Sequence, residues 1–447
     1  MDDDRKCWGI KADVLECKNR LLYIGGELKR VGIGLSDYLK EHKFNSYAIY
    51  GIGDMGEWLI EWNIDEGILP LYGIDQKEKS YNGFKVIRPY EDRTKVDLVI
   101  VTVTHKFIEI EKHMKLSENE VFVSLEEVLE ELYFKYILSP IPMRYFREPI
   151  REKNDNEKKG QTAICYFAFN RPDKVEITLE AIAKLEGIKE TPIIIIQDNI
   201  KRYQSKGGVE RVRDYINNYI NRHSELQIEY IQWKQNAGPF ISLTQGMIYA
   251  FEKYDRVIRI EDDIEVRKEF LLFMNAAFDY YENDDRVFSI SSYNPSYIHT
   301  GGDVFLSKCF CPWGAGFYRS KFIEISWRRE LSTIEGINEK EFKRIYPNSM
   351  YYYNRNKEGF YWENVYEDLM IAYYTILNNM YSVYSNYSFC RNVGFDSGVH
   401  GTERYKDVLN RQYDSLLPAN YKFDEYLLNP EEEKELIKSV QHSDLFS

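Results

Sequence analysis

Two rhythms of apolar and polar positions run along this chain, separated by a stretch that has neither. The first begins with SYAIYGIGDMGEWLIEWNIDEGILPLYGID, residues 46–75, where a short β-branched and aromatic run meets a glycine turn, then a helical pattern, then a second apolar run. VDLVIVTVTH (96–105) predicts another buried strand, and FIEIEKHMKL (107–116) and SLEEVLEELYFKYIL (124–138) predict helices. This is the pattern of a small α/β unit over about 44–138, preceded by a mixed segment. Residues 147–161, REPIREKNDNEKKGQ, are charged and nearly free of large apolar side chains, which predicts a solvated linker.

From residue 162 the alternation restarts. AICYFAFN, TPIIIIQDN, QIEYIQWKQN and RVIRIEDD predict strands, with RPDKVEITLEAIAKL, RVRDYINNYINRH and SLTQGMIYAFEKY as the helices between them. Strands and helices in strict alternation imply a parallel, doubly wound sheet. Beyond Asp263 the pattern turns irregular and aromatic, and after residue 402 it becomes a polar tail with a helix in PEEEKELIKSV. The expected organisation is an N-terminal region (1–146), a linker (147–161), a second domain (162–402) and a C-terminal helical tail (403–447).

Composition narrows the function. A formal net charge of −13 over 447 residues argues against binding that tracks nucleic acid by neutralising phosphates, though it leaves room for a local basic pocket. No run approaches the length of a membrane-spanning helix and MDDDRK lacks the layout of a secretory signal, so a cytoplasmic protein is expected. The six cysteines have no zinc-type pairing and are expected as free, mostly buried thiols.

The chemistry concentrates where VIRIEDDIEV, residues 257–266, ends a buried run on Glu261, Asp262 and Asp263. In an open α/β sheet, ligands bind at the carboxyl ends of the strands. Adjacent carboxylates repel unless something positive sits among them, and a divalent cation with oxygen ligands fits that need. A helix N-terminus nearby would also gather acids.

The motifs FNRPDKV, IIQDN, QNAGP, IEDDIE, CPWGAGFY, YEDLMIAYYTILNN and NVGFDSGVH, in this order over about residues 162–402, resemble those of nucleotide-sugar glycosyltransferases of the GT-A fold. The resemblance is to the N-acetylglucosaminyltransferase I type and to bacterial polysaccharide transferases. It implies a Rossmann-like mixed sheet, a Mn2+ or Mg2+ ion on Asp263, and Glu261 and Asp262 shaping the donor side. It further implies Arg171 and Asp198 on the nucleotide, Asn236 and Gly238 lining the donor, and Trp313 and Gly314 as a wall against the sugar. Register within YEDLM points to Asp368 as the base, with Glu367 its close alternative, and His400 would serve as a second metal ligand or phosphate partner. The implied partners are a nucleoside-diphosphate sugar, UDP-linked by preference, and a glycan or lipid-linked acceptor. The latter would bring peripheral contact with a membrane.

Gly51, Gly53 and Gly56, with Asp75 near the end of the following strand, have the spacing of a dinucleotide turn. The unit has too few strands for two mononucleotide halves. A nucleotide or sugar-nucleotide site, or an interaction module, is expected there. An NAD(P)-dependent oxidoreductase centred on that turn, or a non-catalytic sugar-nucleotide-binding scaffold, are the competing readings.

Overall fold

The computed structural model describes residues 2–77, 80–81, 83–114, 119–138, 160–201, 205–294, 302–325, 336–357, 367–394, 421–423 and 426–441. Two compact units divide the chain.

The first holds helices α1 (Asp2–Arg30), α2 (Leu35–Glu41), α3 (Asp54–Asp65), α4 (Phe107–His113) and α5 (Leu125–Tyr133). Its strands are β1 (Tyr47–Tyr50), β2 (Gly73–Ile74), β3 (Val86–Ile87), β4 (Leu98–Val101) and β5 (Val121–Ser124), paired in the order β3-β2-β1-β4-β5. Each of these pairings is parallel. The sheet therefore has the Rossmann-like strand order, one strand short of two complete mononucleotide halves, with its switch point between β1 and β4. The 29-residue α1 replaces the mixed segment expected before residue 44. Its buried side chains, Cys17, Leu21, Ile24 and Leu28, recur at helical spacing, a stripe that charged neighbours and two glycines obscure.

In the second unit the expected alternation is observed: β6 (Thr162–Ala168), α6 (Pro172–Ile182), β7 (Ile193–Gln197), α7 (Lys206–Arg222), β8 (Ile228–Gln232), α8 (Gly238–Phe251) and β9 (Arg256–Glu261). Then come β10 (Ile264–Val266), α9 (Phe270–Tyr281), β11 (Val287–Ser291), β12 (Val304–Ser307), β13 (Ala315–Tyr318), the helices α10 (Arg319–Phe322), α11 (Glu339–Ile345), α12 (Met350–Lys357) and α13 (Glu367–Leu377), strands β14 (Tyr381–Ser385) and β15 (Cys390–Asn392), and α14 (Pro430–Gln441).

Eight strands form one sheet in the order β12-β14-β11-β13-β9-β6-β7-β8. All residues of β6 and β7 are buried, as strands covered on both faces require, and each buried isoleucine of the IIII run contributes roughly 1.5–3 kcal/mol. β9, β6, β7 and β8 run parallel, so their carboxyl ends share one edge of the sheet. β13 is inserted antiparallel between β9 and β11, and β12 pairs antiparallel with β14. The strands of the alternating stretch are parallel, as expected, and the antiparallel strands from the aromatic stretch make the whole sheet the mixed one expected over residues 162–402. In that aromatic stretch no period of two stands out.

A separate antiparallel ribbon, β10 with β15, leaves the end of β9 and fixes it: Val393 N–H donates to the Asp263 carbonyl at 2.7 Å.

Candidate active site at the strand ends

Three parallel strands deliver the polar cluster. At the end of β6, Arg171 precedes α6, and its guanidinium meets the tip of β9 by hydrogen-bonding Asp262 and pairing with Asp263 Oδ2 at 3.0 Å. From α6, the Thr178 hydroxyl donates to the Asp262 carbonyl at 2.9 Å, so helix and strand tip are pinned together. Burial works against the charge on Arg171, but the two aspartates overcome it and push its pKa up. Burial raises Asp262, and carries Asp263 to about 6, against the opposing pull of Arg171. The positive charge expected among these acids is thus supplied, in this structure, by a side chain of the same unit.

At the end of β7, Asp198 closes a loop. Its Oδ1 accepts from the backbone N–H groups of Asn199 and Ala237, both at 2.8 Å, and its Oδ2 from Asn236 Nδ2 at 2.8 Å and Gly238 N–H at 3.0 Å. Four donors fill a carboxylate's accepting capacity. Asp198 here shapes the Asn236–Gly238 turn. Gly238, at φ +76°, starts α8 in a conformation glycine adopts without strain. Burial lifts Asp198 to about 6, with the surrounding N–H donors acting the other way.

The third group lies across β9. Arg259 sits in the middle of that strand, only 2% exposed at its side chain, and pairs with Glu261 Oε1 at 2.8 Å, Glu367 Oε2 at 2.6 Å and Asp368 Oδ1 at 2.9 Å. It brings the strand tip and the start of α13 together. Sequence reasoning missed Arg259. The signal was available: an ionisable residue inside a buried β-branched run needs a partner.

Register places the aromatic wall. Ala315 of β13 pairs with Arg259 of β9, so Gly314 and Trp313 continue beside the end of β9. A Cβ on Gly314, which has φ +60°, would lie 2.4 Å from Ser292 Oγ, so the backbone approach there requires glycine. Trp313 packs edge-on against Tyr293 with ring centroids 4.7 Å apart.

Among the described residues no three His, Cys, Asp or Glu side chains are grouped to hold a metal. Asp263 still fits a cation: among the described residues only its Oδ2 is engaged, by Arg171, and Gly394 packs so closely that a Cβ would lie 2.2 Å from that same oxygen. The expected second ligand, His400, lies outside the described residues.

In the first unit, the Ile52 N–H and the Lys77 N–H donate to Asp75 Oδ2 and Oδ1, both at 2.8 Å, so Asp75 holds the glycine turn after β1. Gly51 has φ +94°, and a Cβ on Gly56 would stand 2.1 Å from the Gly51 carbonyl oxygen, whereas one on Gly53 meets nothing within 4 Å. α1 lies beside this turn. Lys18 pairs with Asp54 at 2.8 Å, and the cavity left among Cys17, Lys18, Gly53, Thr102, Thr104 and His105 measures about 160 Å³. That is below the several hundred Å³ of ordinary ligand pockets.

All five cysteines described with their side chains are free and buried. No helix among the described residues is long and apolar enough to cross a membrane.

No protein-family model matches the chain, and no curated protein matches it in sequence. Among solved structures, S. aureus TarS 1–349 is similar at 13% identity and a TM-score of 0.30, over 50% of this chain and 60% of that one. The same protein in complex with UDP-GlcNAc is similar at 14% identity and a TM-score of 0.24, over 35% and 46%. The mannosyltransferase PcManGT from Pyrobaculum calidifontis, in complex with GDP-Man and Mn2+, is similar at 10% identity and a TM-score of 0.30, over 56% and 76%. The chain spans about three fifths of the length of the TarS 1–349 structure it matches.

Proposed function

We propose that residues 162–402 form the catalytic domain of a glycosyltransferase that moves a sugar from a nucleoside diphosphate, UDP by preference, to a hydroxyl acceptor. One observation carries the reading. The carboxyl ends of β6, β7 and β9 bring Arg171, the Asp198 loop, the acidic tip and the acids of α13 to one edge of a mixed α/β sheet.

In the reaction the acceptor oxygen attacks the anomeric carbon, its proton passes to Asp368, and the bond from that carbon to the phosphate oxygen breaks. The departing diphosphate gains negative charge. A Mn2+ or Mg2+ ion on Asp263, with His400 as a further ligand, would supply Lewis-acid stabilisation of that charge. Arg171 contributes a planar fork suited to phosphate oxygens once the donor draws it from Asp262. The Asn236–Gly238 turn borders the nucleotide, and Trp313 with Gly314 borders the sugar. Asp368 is favoured over Glu367 as the base because its side chain is 35% exposed and that of Glu367 only 1%. A single base of this kind implies inversion at the anomeric carbon. We place the protein in surface-polysaccharide or glycan assembly in the cytoplasm, at the inner face of a membrane where the acceptor is lipid-linked.

A screen of UDP-glucose, UDP-galactose, UDP-N-acetylglucosamine and GDP-mannose, each with and without Mn2+, tests the reading by thermal stabilisation and by hydrolysis. A donor that stabilises the wild type only with metal, and leaves Asp263→Ala unaffected, supports it. Binding of NAD(P) without turnover of any sugar nucleotide would instead favour the oxidoreductase.

A further inference from the structure

We propose that Arg259 positions the base, tying Asp368 and the tip of β9 together through its ion pairs with Asp368, Glu367 and Glu261. The inference rests on the transferase reading, because only a reaction at this edge of the sheet gives Asp368 a proton to accept.

A guanidinium is expensive to bury and persists only where its charge and donors are used. Arg259 extends from the centre of a strand to reach three carboxylates on two elements, and its Nη1 is shared between Glu367 and Asp368. The partners are not equivalent. Glu367 is enclosed, and neither of its oxygens makes a directed hydrogen bond, leaving the 2.6 Å ion contact with Arg259 as its tie. Asp368 gives one oxygen, Oδ1, to Arg259 at 2.9 Å and keeps an exposed face. That is the division a general base needs: one oxygen held in place and part of the carboxyl left within reach of a substrate hydroxyl.

The charge environment follows from the same geometry. The groups that bear on Asp368 among the described residues are Arg259 and Glu261 of β9, Glu367 of its own helix, Cys311 ahead of β13, and Tyr346 just after α11. Burial raises both Glu367 and Asp368, and Arg259 opposes it in each case. Without the guanidinium the ionised form of Asp368 loses its one cationic neighbour in this group. The acid limb of the rate profile must then move to higher pH, not lower.

The test uses the full chain, the most active donor of the panel above, and Mn2+ with UDP as a probe of the donor site. Arg259→Gln is expected to lower kcat about a hundredfold and to raise the acid limb of kcat/KM by about one pH unit. Its affinity for Mn2+–UDP stays within about threefold of wild type, because the loss falls on the chemical step. Arg259→Lys restores the charge but cannot span three carboxylates, so its acid limb stays near that of wild type while kcat falls about tenfold.

Wild-type kcat in both variants overturns the proposal, as does an unmoved acid limb in Arg259→Gln. Should Arg259→Gln fail to fold, Arg259→Lys decides: kcat within twofold of wild type overturns the proposal, and reduced kcat with intact Mn2+–UDP binding supports it. A wild type that neither binds Mn2+–UDP nor turns over any donor overturns the transferase reading, and this inference with it.

Discussion

Arg171 Nη1 lies 3.0 Å from Asp263 Oδ2, so the negative charge gathered at the end of β9 is balanced from inside the same unit. If the proposed cation binds Asp263, the guanidinium and the cation would be rivals for one carboxylate. On the proposed function, an arginine that left Asp263 for a phosphate of the donor would free that oxygen for the metal.

Arg171→Met tests this relation. Removing one partner of a mostly buried ion pair leaves Asp262 uncompensated, and the expected cost is about 3–5 kcal/mol in urea unfolding. Mn2+ alone should then stabilise the variant more than the wild type, read as the shift in thermal midpoint on adding the metal. An equal shift in both proteins would mean that the guanidinium and the cation do not share a site.

Asp368→Asn keeps the shape of the side chain and removes its ability to take a proton. Turnover should fall about 10²–10⁴-fold with Mn2+–UDP affinity unchanged. Isothermal titration beside initial rates separates the two quantities. Loss of binding in parallel with rate would make this residue a donor ligand.

Asp198 gives a pH dependence of definite sign. Burial raises its pKa from the usual carboxylate value to about 6, so the folded state holds the proton more tightly than the unfolded chain. Its contribution to stability is then fully present below about pH 4 and lost as pH rises through about 6, a change of up to about 3 kcal/mol. Asp198→Asn does not titrate. The stability difference, wild type minus variant, should shrink between pH 4.5 and pH 7 in urea titrations, and a difference that grows instead would contradict the burial argument.

The three glycines after β1 should separate. Gly56→Ala forces a methyl against the Gly51 carbonyl and Gly51→Ala places a side chain at φ +94°, so each should cost about 1–3 kcal/mol in thermal unfolding. Gly53→Ala, with open space at its Cβ, should lie within about 0.5 kcal/mol of wild type. If all three variants cost the same, the turn is not shaped by contact.

Periodicity and end chemistry made β6 to β9 and the helices between them legible from the chain alone: β6 and β7, buried on both faces, read as continuous apolar runs, and the edge strand β8 was marked by its place in the alternation. The same reading exposed the three acids that end β9. What the sequence could not determine is who neutralises them. Arg171 is some ninety positions away from Asp263, and Asp368 more than a hundred from Arg259, so their pairings exist only once β6, β9 and α13 lie side by side. The antiparallel place of β13 was likewise decided by packing, since AGFY between β9 and β11 carries no alternation to betray it. Local pattern sets where a strand or helix forms. Partners distant in sequence are chosen by the topology of the sheet, and the chemistry of this site is made of such partners.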